Sequence, residues 1–182
     1  MKQSLNALKL FLALTILTGV IYPLLITGIA QVLFNRQANG DTYLIGQKFD
    51  KSRYFWSRPS ACDYGTIPSG ASNLSATSRA LKDEIEKRKA MILASDTSKK
   101  ADQIPSDMIY ASGSGLDPHI SYAAAVFQAD RVAKARDMKK ADVLKLISRV
   151  REGRDFFILG NRRVNVLRLN VLLDNPSAKG IE

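Results

Sequence analysis

Hydrophobic and polar positions divide this chain unevenly. Leu10 to Leu33 (LFLALTILTGVIYPLLITGIAQVL) runs for 24 residues without a charge, whereas everything after it mixes apolar and charged positions at short periods. A helix rises ~1.5 Å per residue and ~20 apolar residues cross the hydrocarbon of a bilayer, so the run is long enough to span with some tilt. Backbone inside lipid must satisfy its own hydrogen bonds, which makes the run helical although Thr, Val and Ile are mediocre helix formers in water. Pro23 is expected to kink this helix without ending it. The rival reading is a cleavable secretory signal, with Lys2 and Lys9 as its basic flank and Gly28-Ile29-Ala30 as a small-x-small site. The apolar region of such a signal usually covers only ~7 to 15 residues.

Beyond the run, Asn35 to Tyr43 is polar and carries the turn signal Asn39-Gly40-Asp41, which reads as a short linker. Tyr43 to Phe49 is compatible with a strand. Residues 57–75 are rich in Ser, Gly, Pro and Ala, with too little apolar surface to order alone, and read as a long docking loop. Ser78 is a candidate N-cap for a helix whose Leu81, Ile85, Arg88 and Ile92 fall at three- and four-residue steps. Ala94 to Asp102 follows as a solvated loop. A second helix is expected from Pro118 or Ser121 to Arg136, capped by Asp117 or Ser121, with Ala124, Phe127, Val132 and Ala135 as its apolar face. A third, Ala141 to Arg151, presents Val143, Leu144, Ile147 and Val150 and is closed by Gly153. Phe156 to Leu159 reads as a strand. Val164 to Asp174 begins with two-residue alternation and ends at helical spacing, so it predicts a strand running into a helix. The expected architecture is an N-terminal tail and single transmembrane helix (1–34) followed by one soluble domain (35–182) of α/β (α+β) class. About 145 residues is the size of one ordinary domain.

Charge adds less than it first suggests. The net charge is +10, and 25 of the 27 Lys and Arg with all 17 acidic residues follow Leu33, leaving the soluble part at +8. Nucleic acid, anionic lipid, an acidic partner or a plain solvated surface are all compatible with that balance, and the longest Lys/Arg run, Lys87-Arg88-Lys89, is too short for a polybasic arm. The flanks of the membrane run carry similar positive charge, so they leave its orientation open. Tyr54-Phe55-Trp56, beside Lys51, Arg53 and Arg58, has the composition of a base-stacking or membrane-interface cluster, or of core packing.

Chemistry-bearing residues are sparse. One cysteine, Cys62, excludes an intrachain disulfide and a cysteine zinc site, and one histidine, His119, excludes a multi-histidine metal site. Gly113-Ser114-Gly115 ahead of a helix is the kind of turn that holds a phosphate, but it lacks the Gly-Lys-Ser/Thr of a phosphate-binding loop. No Gly-x-Gly-x-x-Gly, Asp-Lys-Thr-Gly, Gly-x-Ser-x-Gly or His-Glu-x-x-His occurs. His119 near Asp117 invites a general-base role, yet a histidine in a helix's first turn more often bonds the adjacent loop. Gln128, Arg131, Val132 and Arg136 lie on one helical face, as a solvated stripe or as an anion or nucleotide contact. No catalytic residue and no metal site is expected.

With these residues in view, the chain resembles the C subunit of the Kdp high-affinity potassium-transporting P-type ATPase. The resemblance rests on ordered blocks: Gly19 to Leu25, Leu44-Ile45-Gly46-Gln47, Tyr54 to Ala61, Ser69 to Leu74, Ala111 to Ser121, Arg131 to Arg136, and Arg163 to Asp174. Small departures fall at Trp56, Arg79, Tyr122 and Asn161. The resemblance implies an accessory, non-catalytic subunit of an ATP-driven potassium uptake complex in a bacterial or archaeal cell membrane. Its partners would be a channel-like potassium-binding subunit, a P-type ATP-hydrolysing subunit and a small fourth subunit, with no nucleic acid. It further implies a catalytic chaperone that raises the affinity for ATP in a transient complex, with Gln128, Val132 and Arg136 at the nucleotide and no firmly bound cofactor. The soluble domain is expected on the extracytoplasmic side, where ATP is scarce. That conflict favours docking through Arg58, Pro59, Ser60, Ser112, Gly113, Gly115 and Asp117. The alternative is a membrane-tethered module for an anionic ligand or lipid.

Overall fold

The computed structural model describes residues 2–34, 42–154 and 158–175. The turn expected at Asn39-Gly40-Asp41, and Phe156-Phe157 of the expected strand, lie outside the described residues. The chain forms two compact units, Met1–Thr42 and Tyr43–Glu182.

The first unit is a continuous helical rod, Lys2–Leu33, long and apolar enough to cross a membrane. It consists of α1 (Lys2–Ile16), a π turn (Leu17–Ile21) and α2 (Tyr22–Leu33). The π turn has a cause in the sequence. Pro23 cannot donate, and its ring would crowd the carbonyl of Gly19 in a regular helix. The chain widens just ahead of it, the Tyr22 N–H donating to the Leu17 oxygen five residues back, and the helix then continues through Pro23. Thr15 and Thr18 donate their hydroxyls to the Phe11 and Leu14 carbonyls, both at 2.8 Å, so neither leaves a polar atom unpaired toward lipid.

In the second unit, α3 (Arg79–Ser95) starts where Ser78 Oγ accepts from the Leu81 N–H at 3.2 Å. It buries only Ile92 fully, and Arg88 donates to the Ile109 carbonyl at 2.7 Å. Two short 3₁₀ turns, Ala101–Gln103 and Ser106–Met108, carry the chain to β1 (His119–Ser121). Then come α4 (Tyr122–Ala135), α5 (Lys140–Arg149), β2 (Arg151–Glu152), β3 (Arg163–Asn165) and α6 (Val166–Asp174). The sheet is antiparallel in the order β1-β3-β2, with Ile120 opposite Val164 and Glu152 opposite Arg163. Helices α4, α5 and α6 supply most of the core, in which Ala124, Ala129, Val132, Val143, Ile147, Val164, Leu169 and Leu172 have no exposed surface. A helical region with a small three-stranded sheet is α+β, as the pattern predicts.

Several boundaries differ from the sequence reading. The second helix begins at Tyr122 because residues 119–121 pair with β3 and Ser121 Oγ caps from outside, accepting from the Ala124 N–H at 3.0 Å. The third stops at Arg149 with Val150 as its cap, and Gly153 lies beyond β2. Tyr43 to Phe49 forms no strand. A 3₁₀ turn at Thr42–Leu44 occupies its start, and Gly46 makes one bond to the Leu116 carbonyl at 2.7 Å, without a ladder to extend it. Val164 to Asp174 does run from strand into helix, Asn165 Oδ1 capping α6 by accepting from the Arg168 N–H at 3.0 Å.

Candidate docking site

Residues 52–60 pass from a turn, closed by the Tyr54 N–H on the Lys51 carbonyl at 3.1 Å, into a stretch that pairs with no strand among the described residues, so their backbone groups must find other partners. Side chains supply them. Asn170 of α6 receives the Phe55 N–H at 2.9 Å and donates to the Phe55 carbonyl at 3.0 Å, as a neighbouring strand would. Gln128 of α4 does the same for Trp56, at 2.8 and 3.2 Å. Arg131 donates to the Ser52 and Tyr54 carbonyls and to Gln128 Oε1, and its guanidinium stacks 4.2 Å from the Trp56 ring. Arg136 reaches the Arg53 carbonyl at 2.6 Å, the Leu173 carbonyl at 3.0 Å and Asp174 at 2.8 Å.

The stripe of Gln128, Arg131, Val132 and Arg136 is therefore the inward face of α4, not a solvated one. Gln128 is 2% exposed, Arg131 5% and Val132 not at all. Ala135, expected on the apolar face, is exposed, and Phe127 is only partly buried. Burial pushes the Arg131 guanidinium down to about 10, against the pull of Asp96, but it stays charged at neutral pH. The aromatic cluster resolves accordingly: Phe55 is fully buried and Trp56 packs against the core.

Two irregular segments meet where this clamp ends. The Ser112 N–H donates to the Pro59 carbonyl at 2.9 Å, and Ser60 Oγ donates to the Gly115 carbonyl at 2.7 Å. Arg58 Nη1 bonds Asp117 Oδ2 at 3.0 Å. Tyr64 donates its hydroxyl to the Arg58 carbonyl at 2.6 Å, and burial holds that phenol up to about 12. Gly115 sits at φ +72°, where a Cβ would strike Cys62 Sγ and lie 2.9 Å from the Gly70 carbonyl, so the crossing of the two loops requires glycine. Gly113 has open space around it. The phosphate-loop reading fails on geometry. The Gly115 and Leu116 N–H groups are taken by Ser112 Oγ and Ser114 Oγ, and a strand follows, not a helix.

His119, on β1 and not in a helix, lies between two carboxylates, Nδ1 at 3.6 Å from Asp117 and Nε2 at 3.4 Å from Glu152. Burial alone would lower its pKa, but the two partners overcome that and raise it to about 9. Glu152, bonded by His119 and by Arg163 Nε at 2.8 Å, is pulled down to about 2, and Asp117 is also held below its usual range. An imidazolium that stays charged at neutral pH is unsuited to act as a general base there, so the cluster is an ion-pair knot tying β1 to β2 and β3. Among the described residues, no three His, Cys, Asp or Glu converge to hold a metal ion.

Arg58, Pro59, Ser60, Ser112, Gly115 and Asp117 thus come together at one junction, while Gln128, Val132 and Arg136 lie in the clamp behind Trp56. Sequence reasoning missed Asn170 and Arg131 as backbone anchors and Glu152 as the partner of His119. The one available signal was the polar residues at core spacing on otherwise apolar helices.

A family model described as K+-transporting ATPase, c chain (KdpC) matches residues 4–175. A protein named potassium-transporting ATPase KdpC subunit from Methylibium petroleiphilum is 48% identical over 192 residues, covering 96% of this chain and 98% of that protein. Proteins of the same name from Leptospira interrogans and Dechloromonas aromatica are 42% and 44% identical, over 93% and 94% of this chain and 92% and 96% of theirs.

Proposed function

The chain belongs to the KdpC family, the c chain of K+-transporting ATPase, and is thus an accessory subunit of a P-type potassium-uptake complex in a membrane; we propose that its soluble domain acts there by docking. The observation that carries this is the junction of the Arg58 and Ser112–Asp117 loops, held by two loop-to-loop hydrogen bonds and an ion pair. A surface ordered before binding avoids the entropy cost of ordering loops on contact, which suits permanent assembly. The partner is the channel-like potassium-binding subunit, with the ATP-hydrolysing subunit in the same complex, and the domain lies outside the cytoplasm. Arg58→Ala and Asp117→Ala should weaken co-purification of the complex in detergent. Normal assembly and transport in both would defeat docking through this junction.

Regulation of ATP affinity is a second reading, and the burial of Gln128 and Val132 gives it a particular form. These side chains act on the complex through the fold of this domain, by holding residues 52–58 in place, not by touching nucleotide.

A further inference from the structure

Beside the junction, a concave site of about 400 Å³ opens between the Arg58 loop, β1 and the start of β3. Its walls include Arg58, Asp107, Asp117, His119, Arg162 and Arg163, with Asp107 taken up by the Ser121 N–H and hydroxyl at 2.7 and 3.1 Å. Most of these charges are already spent: Arg58 on Asp117, Arg163 on Glu152, and His119 on both carboxylates. Two donors are left over. Arg162 is exposed and has no ion-pair partner among the described residues, and Arg58 Nε is buried without an acceptor among them. Arg154, exposed on the other arm of the same β2–β3 connection, likewise has no ion-pair partner among the described residues. Ile158 and Leu159, within that connection, are 74% and 57% exposed.

We propose that this site receives a carboxylate-bearing segment of a partner subunit, with Arg162 pairing the carboxylate and Ile158 and Leu159 covering the apolar residues beside it. The inference rests on the docking reading above and names the chemistry of what is docked. Excess cationic donors select an anionic group, because each would otherwise stay solvated or unpaired at an interface. The concavity selects a protruding side chain over the flat array of headgroups that a bilayer offers. The ion pairs of Arg58 with Asp117 and of Arg163 with Glu152 keep the wall in place, so Arg162 is the one donor that must order on an entering carboxylate.

The test uses the full chain in detergent, titrated onto the complex prepared without it. Arg162 is exposed and outside the core, so its variants should melt like the parent. Arg162→Glu should bind roughly tenfold more weakly and Arg162→Lys close to the parent, the scale of one interfacial charge contact. A photo-crosslinker at position 162 should attach to a partner segment containing Asp or Glu. If both Arg162 variants bind like the parent while Arg58→Ala does not, docking stands and the carboxylate site is overturned. If Arg162→Glu leaves complex binding intact and instead loses binding to phosphatidylglycerol vesicles, a lipid surface is the occupant and the proposal fails. Undiminished binding by Arg58→Ala and Arg162→Glu alike would remove the docking reading itself.

Discussion

Gln128 concentrates the residue-scale argument. A buried carboxamide that both accepts from and donates to one backbone position does for Trp56 what a strand neighbour would, and Asn170 repeats it one residue earlier. Removing the amide leaves the Trp56 N–H and carbonyl without their partners and deprives Arg131 of one acceptor. Gln128→Ala should therefore cost ~1–3 kcal/mol, the penalty of leaving buried polar groups unsatisfied, read as a lower melting temperature of the detergent-solubilised chain. Altered ATP dependence of the complex at unchanged melting temperature would instead restore a direct nucleotide contact.

Between elements, the knot around His119 couples β1 to β2 and β3 through charge. Because the folded pKa of His119 is raised to about 9 from an ordinary 6.5, its contribution is fully present below about 6.5 and is lost as pH rises through about 9. Glu152 behaves oppositely. Its folded pKa is depressed to about 2, so its contribution is present above its ordinary value near 4.5 and is lost as pH falls toward 2. Stability of the parent should decline between pH 6.5 and 9, and His119→Gln should flatten that slope when unfolding is followed by tryptophan fluorescence in urea. An unchanged slope would mean that the imidazolium is not held between the two carboxylates. The capping and pairing of the elements themselves were legible in part. Ser78 and Ser121 sit as hydroxyl residues ahead of helical spacing, whereas the three-residue strands are too short to produce a period of their own.

For the whole molecule, the decisive variable is the side of the membrane on which the soluble unit lies. Asp102 is exposed at a turn far from the clamp in sequence, which makes it a benign reporter. In a Cys62→Ser background, Asp102→Cys should react with a membrane-impermeant maleimide in intact cells whose outer barrier is opened. Labelling only after the inner membrane is permeabilised would place the domain beside ATP and remove the objection to nucleotide contact.

What the sequence determined alone was whatever depends on local composition and period: the 24-residue uncharged run, the helices led by Ser78 and Ser121, the strand running into α6, and the absence of catalytic motifs. Only the tertiary structure decided which way α4 faces. Gln128, Arg131 and Arg136 read as a solvated stripe because polar groups prefer water, and they turn inward because a segment 72, 79 and 83 residues upstream of them respectively brings backbone groups, unpaired by any strand among the described residues, that need them. The same holds for His119 and Glu152, which are 33 residues apart in the chain and acquire their shifted pKa values only when β3 sets β1 and β2 on its two sides. A polar side chain's role depends on what else is buried with it, and spacing along one element does not record that.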